Sequence, residues 1–429
     1  MQQSSNRYIF IGLMLFALFF GAGNLIFPAA MGQSAGTSLC LPLLGVMAFG
    51  YSGCRDLQEM SSRVHPLYGI FYTVVCYMSI GPCFAVPRTG TVSYEIAIRP
   101  FLDPATADIG LPIFLAVFFA LSFWLAASPS KLVDRIGKLL TPALVLTLLV
   151  LIAKSFITPM GEPQAPSPAY ASPVVAAIQG VLDGYNTLDA IAALVFATLV
   201  VSSVKEIGFT EPKQIAMQVY KSGILAGALL AFIYIFIAKI GAESVSVIGM
   251  KDTGAPILAE SAMVFFGNAG ALLLAAIVLL ACLTTSIGLI TCCAAYFMEL
   301  TGKLSYVKWV GIFTVVSYLI GLFGLKTIIV STIPVLMFIY PLCVALIALV
   351  FLHNFFGGRQ CVYAWTIAFT FFMAAVSGLQ TASVSLGGLD AVLKAWVPLY
   401  SQGLGWIPFA VVGFVIGLVH KTVVPAKAA

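Results

Sequence analysis

The sequence predicts an all-α polytopic membrane protein of about twelve transmembrane helices, a five-plus-five inverted repeat with broken helices 1 and 6. Three observations carry that prediction. First, 61% of the 429 residues are hydrophobic, only 9% are charged and the mean hydropathy is +1.06, whereas a soluble domain is about 25% charged. Second, apolar stretches of membrane-crossing length follow one another along the whole chain. Third, two of them carry polar, glycine-containing interruptions, Gly21-Ala22-Gly23-Asn24 and Gly184-Tyr185-Asn186-Thr187. A helix broken inside a bilayer leaves backbone groups unpaired where water cannot reach them. Such breaks persist only where they line a cavity or hold a ligand.

A span needs about 20 apolar residues at ~1.5 Å of rise each. On that rule the spans fall at 8–31, 38–54, 68–96, 111–127, 133–157, 174–202, 221–241, 268–297, 305–324, 327–352, 361–380 and 403–422. The first run, Tyr8 to Met31, is too long for a signal-peptide core and lacks a cleavage site, so it reads as a retained span. Pro/Ser-rich Thr158–Pro173 reads as an external loop, and Ala255–Phe266 as a short amphipathic helix at the surface. With the N-terminus inside, cytoplasmic segments hold 14 Lys and Arg and external segments 6, with Arg88 left inside a span. That asymmetry places both termini in the cytoplasm. The broken spans are one and six. Their offset of five is odd, so the two halves cross the membrane in opposite senses. The expected organisation is one transporter domain over 1–429, with inverted repeats at about 8–157 and 174–352 and added helices over 361–422.

Several function classes are excluded. The net charge of +5 comes with no basic run or interleaved aromatic patch, so nucleic acid is not an expected partner. The nine cysteines form no CxxC, and His65, His353 and His420 stand far apart near span ends, so no resident metal or cofactor is expected. There is no Walker A motif and no HExxH, and nothing suggests an enzyme.

In span one, glycines permit backbone that a helix forbids, and Pro28 removes a donor four residues after Asn24. A break there turns carbonyls of the first half-helix toward a cation and N–H groups of the second toward a carboxylate. Asn24 adds a side-chain oxygen. The same glycines also fit close helix packing. In span six, Asp183, Gly184, Tyr185, Asn186, Thr187 and Asp189 crowd into about two turns. An Asp at mid-bilayer costs at least about 2.5 kcal/mol, so it is functional, paired, or a cap at the interface. Thr284, Thr285 and Ser286 in span eight offer hydroxyl oxygens suited to Na⁺, or to interhelical hydrogen bonding. Arg88 and Glu95 in span three share a helix face two turns apart. They are too distant to pair, and each is expected to meet a partner on another span or in a wet vestibule, for anchoring or gating.

These strings resemble the branched-chain amino acid:cation symporter family (LIVCS, BrnQ-type carriers), whose wider superfamily has the LeuT-type fold. The resemblance rests on Leu15–Pro28, Gly81–Glu95, Gly184–Ala193 and Ala281–Leu289, in matching order and spacing over essentially the whole chain. It implies a bacterial plasma-membrane carrier taking up leucine, isoleucine and valine with Na⁺ or H⁺. Carried over residue by residue, it implies that substrate meets Gly21, Ala22, Gly23, Asn24, Tyr185, Asn186, Thr187, Leu188 and Asp189. It implies a cation between spans one and eight, on the carbonyls of Ala17 and Phe20 and the hydroxyls of Thr284, Thr285 or Ser286. The second span, Gly36–Gly53, is shorter than is usual in the family. The expected function is therefore secondary active import of branched-chain amino acids by cation symport through alternating access. The alternatives are a same-fold carrier for another small neutral amino acid, a channel, or a membrane sensor. The sequence sets neither the coupling ion nor the oligomeric state.

Overall fold

The computed structural model describes residues 7–35, 57–128, 141–206 and 208–423. The second expected span, 38–54, and the start of the fifth, 133–140, lie outside the described residues. Span one is α1 (Arg7–Phe19) and α2 (Ala22–Ala35). A short α3 (Leu57–Ser62) precedes span three, which is α4 (Pro66–Met78), a π-turn over Ser79–Cys83, and α5 (Ala85–Ala97). Span four is α6 (Pro104–Ala126), span five α7 (Thr141–Ile157), and span six α8 (Pro173–Tyr185) with α9 (Asp189–Glu206). Then come α10 (Pro212–Ile248), α11 (Gly254–Phe266), α12 (Asn268–Thr301), α13 (Tyr306–Gly321) and α14 (Leu325–Phe351). The chain ends on α15 (Gln360–Thr381), α16 (Gly388–Trp396) and α17 (Trp406–Val423). Four of these helices open on proline, whose fixed φ suits a first turn and whose missing N–H costs nothing there.

Among the described residues, 7 helices are long and apolar enough to cross a membrane, or 9 if each bent pair is one span. The expected twelve is not reached. The apolar helices Leu144–Ile157 and Tyr306–Gly321 are shorter than the length a perpendicular crossing needs.

The helices group into two compact units. The first holds Met1–Leu43, Met78–Leu188 and Leu199–Val330. In it α2 packs on α10 and α11, α1 on α10 and α12, and α5 on α12. The α2–α10 approach is backbone to backbone. Gly32 lies against the Ala238 carbonyl and Gly241 against the Ala29 carbonyl, so a Cβ on either glycine would overlap the facing main chain. On α6, Ile109, Ile113, Val117 and Trp124 form an exposed apolar stripe, while Leu115, Phe118, Phe119 and Ser122 are buried. An apolar outer face over a packed inner one is what a lipid-facing helix presents.

The second unit holds Leu44–Tyr77, Asp189–Thr198 and Ser331–Ala429. Its best-packed pair is α15 with α17, where Gly413 and Gly417 lie against the α15 backbone at Trp365 and Val362. The outer face of α17 exposes Val411, Val415 and Val419. The chain is thus an all-α polytopic membrane protein whose first and sixth spans are broken, bent by 68° and 44° respectively.

Candidate functional site

The break in span one is fixed by Asn24. The last regular bond of α1 runs from the Phe20 N–H to the Phe16 carbonyl, 2.8 Å. In a continuing helix the Gly21 N–H would bond the Ala17 carbonyl. It donates instead to Asn24 Oδ1 at 3.1 Å, while the Asn24 amide donates to the Tyr234 hydroxyl of α10. The Ala17 carbonyl is thereby released from its helical donor. Span eight supplies a replacement: Thr284 Oγ1 donates to the Ala17 carbonyl at 3.2 Å and Thr285 Oγ1 to the Leu18 carbonyl at 3.1 Å. Four neutral oxygens converge here, two from backbone and two from side chains.

Span six breaks by a different device. The N–H groups of Asn186, Thr187 and Leu188 bond the carbonyls of Asp183, Gly184 and Tyr185, each three residues back, at 3.1, 3.2 and 3.2 Å. Thr187 Oγ1 donates to the Gly184 carbonyl at 2.8 Å. Leu188 then takes φ +68°. A left-handed leucine costs about 1–2 kcal/mol, and such strain gathers at functional sites. Asp189 opens the second half-helix, α9, and its residues to Thr198 belong to the second unit.

Arg88 joins the two breaks. Span three is kinked at Gly81 and Pro82, and α5 restarts at Ala85. Arg88, on the first turn of α5, is 3% exposed. Its Nη1 donates to the Asn186 carbonyl at 2.9 Å, and its guanidinium lies over the Phe27 ring at 5.0 Å. A Cβ built on Gly23 would stand 2.5 Å from Arg88 Nη2 and 3.2 Å from the Thr187 carbonyl. The residue set expected from the sequence left Arg88 out, although an arginine inside an apolar span is itself the signal.

The expected residues sort as follows. Gly21, Ala22, Gly23 and Asn24 lie together at the first break, and Tyr185, Asn186, Thr187 and Leu188 at the second. Gly23 and Asn186 meet the same guanidinium. Of the three hydroxyls, Thr284 and Thr285 reach span one. Ser286 does not: its Oγ meets Ser122 Oγ of α6 at 3.2 Å. The second carbonyl reached from span eight is that of Leu18, not Phe20, whose ring stacks on Phe16 at 5.3 Å. Leu18 was not legible, because a backbone carbonyl leaves no mark in the side-chain alphabet.

Asp183 is held by the preceding loop and by its own helix. Tyr170 donates to one carboxylate oxygen and Gln179 Nε2 to the other at 3.0 Å. Burial, and then the Asp183 carboxylate, push the Tyr170 phenol well above its ordinary value. Glu95 pairs with Arg99 one turn on, at 2.7 Å, so its partner lies in its own segment rather than on another span. That pair lines a cavity of about 420 Å³ with Asp252, Glu260 and Lys326.

Comparison with known proteins places this geometry. The family profile described as "Branched-chain amino acid transport protein" matches residues 4–424. The branched-chain amino acid permease BraB of Bacillus subtilis (strain 168) is 44% identical over 423 residues, covering 96% of this chain and 94% of that one. The branched-chain amino acid permease BrnQ of the same organism is 41% identical over 428 residues, with 97% of each chain covered. Among solved structures, the crystal structure of MhsT in complex with L-phenylalanine aligns at a TM-score of 0.57, covering 95% of this chain and 98% of that one at 15% identity. That last likeness is one of fold, the LeuT-type arrangement with broken first and sixth helices.

Proposed function

The chain belongs to the branched-chain amino acid transport protein family, and on that premise we propose that it imports leucine, isoleucine and valine by cation symport. The observation that carries the proposal is the single cluster made by the two breaks, with Thr284 and Thr285 placed against the carbonyls that the first break releases. The N–H groups opening α2 are a positive pole for the substrate carboxylate, and the carbonyls closing α8 a negative pole for its ammonium. The residues flanking the breaks are apolar: Phe19, Phe20, Leu188 and Ile191. They favour a neutral zwitterion with a branched aliphatic tail.

The cotransported cation, Na⁺ or H⁺, travels as a second substrate. The carbonyls of Ala17 and Leu18 with the hydroxyls of Thr284 and Thr285 are a neutral oxygen set suited to Na⁺. Because Gly21–Asn24 serves both ligands, ordering the break for one lowers the cost of binding the other. Coupling energies of this kind are about 1–3 kcal/mol and reciprocal. Alternating access would move one bundle against the other around this site, within inverted repeats at about 8–157 and 174–352 of one domain, with both termini cytoplasmic and the chain in a bacterial plasma membrane.

The test is uptake of labelled leucine into proteoliposomes under separate Na⁺ and H⁺ gradients. One gradient alone should drive accumulation. Excess isoleucine and valine should compete and excess lysine and glutamate should not, since one methylene alters binding by only about 1–3 kcal/mol. Equal inhibition by lysine and isoleucine would overturn the substrate assignment. Accumulation under neither gradient would overturn symport.

A further inference from the structure

From the guanidinium at the meeting point of the two breaks, we propose that Arg88 is the substrate's carboxylate-recognising residue. The inference rests on the reading that the breaks form the substrate site, and adds to it a specificity determinant from span three.

An arginine at membrane depth is costly and marks a substrate path, a relay or a structural pair. The surroundings of Arg88 decide among these. Its side chain reaches both breaks, where a purely local anchor would need only one. Nη1 is on the Asn186 carbonyl at 2.9 Å, and Nη2 lies where a Gly23 side chain would begin, 2.5 Å from that Cβ position. Gly23 lies on the first turn of α2, whose N–H groups form the positive end of that half-helix. Two positive groups therefore face the same small volume, an arrangement that repels a cation and suits an anion. The negative pole beside them is the carbonyl end of α8 at Asn186. Positive and negative groups stand a few ångströms apart, in the order that an α-amino acid zwitterion presents.

Guanidinium has five donors in a planar fork. That fork matches the two oxygens of a carboxylate, and one of its donors is already set on Asn186 at the second break. The guanidinium carbon lies over the Phe27 ring at 5.0 Å, a cation–π contact that helps hold the group in place. The absent side chain at Gly23 is what lets the guanidinium lie against the opening turn of α2, so Gly23 and Arg88 act as a pair. A ligand with an amine and an aliphatic tail but no carboxylate would lose this contact together with the one to the N–H groups opening α2.

The test compares leucine with leucinol, which replaces the carboxylate by a hydroxymethyl group, as competitors for labelled-leucine binding and uptake. Full-length wild type, Arg88→Lys and Arg88→Gln are reconstituted in proteoliposomes. Wild type should prefer leucine over leucinol by about 100-fold or more, the scale of a buried charge-assisted contact. Arg88→Gln should cut that preference by about tenfold or more, weakening leucine while leaving leucinol nearly unchanged, the remainder resting on the N–H groups opening α2. Arg88→Lys keeps the charge without the fork and should fall between. A merely structural role would weaken both ligands together and leave the ratio intact, and that result overturns the proposal. So does a wild type that binds leucinol as tightly as leucine, a measurement that holds even if Arg88→Gln does not fold. A wild type that binds no leucine overturns the substrate reading above, and this proposal with it.

Discussion

At Gly23 the backbone of one break touches the side chain that serves the other. A methyl group there would stand 2.5 Å from Arg88 Nη2 and 3.2 Å from the Thr187 carbonyl. Gly23→Leu should therefore bring leucine uptake to background while the protein still inserts and purifies. Helix propensity does not oppose the change, since replacing glycine within a helix favours it by roughly 0.5–1 kcal/mol. The measurement is uptake normalised to reconstituted protein, and near-normal transport would show that the glycine serves packing alone. The cation set makes a sharper residue-scale prediction. A helix turns 100° per residue, so Thr284 and Thr285 both reach span one, whereas Ser286, some 200° from Thr284, faces α6. The sequence offered three adjacent hydroxyls, and only helix phase separates them. Thr284→Val and Thr285→Val should each raise the cation concentration for half-maximal uptake, with a smaller change in leucine affinity at saturating cation. Ser286→Ala should leave the titration where it was. Unchanged curves in both valine variants would remove span eight from the cation site.

At the scale of elements, the breaks were legible because both are written in residue types: glycines, Asn24, and the polar run at span six. Helix lengths were less so. A hydropathy window reports where apolar residues are, not where a helix stops. Thus α10 runs over 37 residues, about 55 Å at 1.5 Å each, well past a hydrocarbon core of about 30 Å. The short α16 was missed because its amphipathic pattern carries no membrane-length run. The approach of α2 to α10 left only scattered glycines as a trace, since backbone contact is a property of two segments some 210 positions apart. The turns between α14 and α15 make a prediction of their own. His353 Nδ1 meets Arg63 Nη1 at 3.2 Å and the Tyr363 hydroxyl at 2.9 Å. Burial first, and the Arg63 charge second, hold the imidazole below its ordinary 6.5. The unfolded chain therefore takes up this proton before the folded protein does. The contribution of His353 to stability is complete above pH 6.5 and declines as pH falls through that value toward the lower folded one. Thermal unfolding in detergent should show a lower midpoint at acid pH, and His353→Gln, which still accepts from Arg63, should flatten that slope. A slope identical in the two proteins would remove His353 from the acid response.

For the whole molecule, the odd offset between breaks and the distribution of charge are independent signals, and both bear on orientation. Two broken spans five apart require halves of opposite sense if they are structurally equivalent. The charge count, 14 basic residues against 6, predicts the sense: N-terminus inside. That sense predicts that the loop 158–172 faces out and the turn after α12 faces in. Each offers an exposed probe position, Glu162 in the loop and Lys303 in the turn. The described native cysteines are buried or half-buried, so a membrane-impermeant maleimide should find little background in them. In intact cells Glu162→Cys should label above the unsubstituted protein. Lys303→Cys should label only after the membrane is permeabilised. The pair is decisive because the two sites report opposite faces. Labelling of Lys303→Cys from outside, with Glu162→Cys protected, would invert the chain. Labelling of both from outside would change the number of crossings between them from odd to even and break the five-span offset itself. Only the first pattern keeps the broken spans in opposite senses with the basic residues in the cytoplasm.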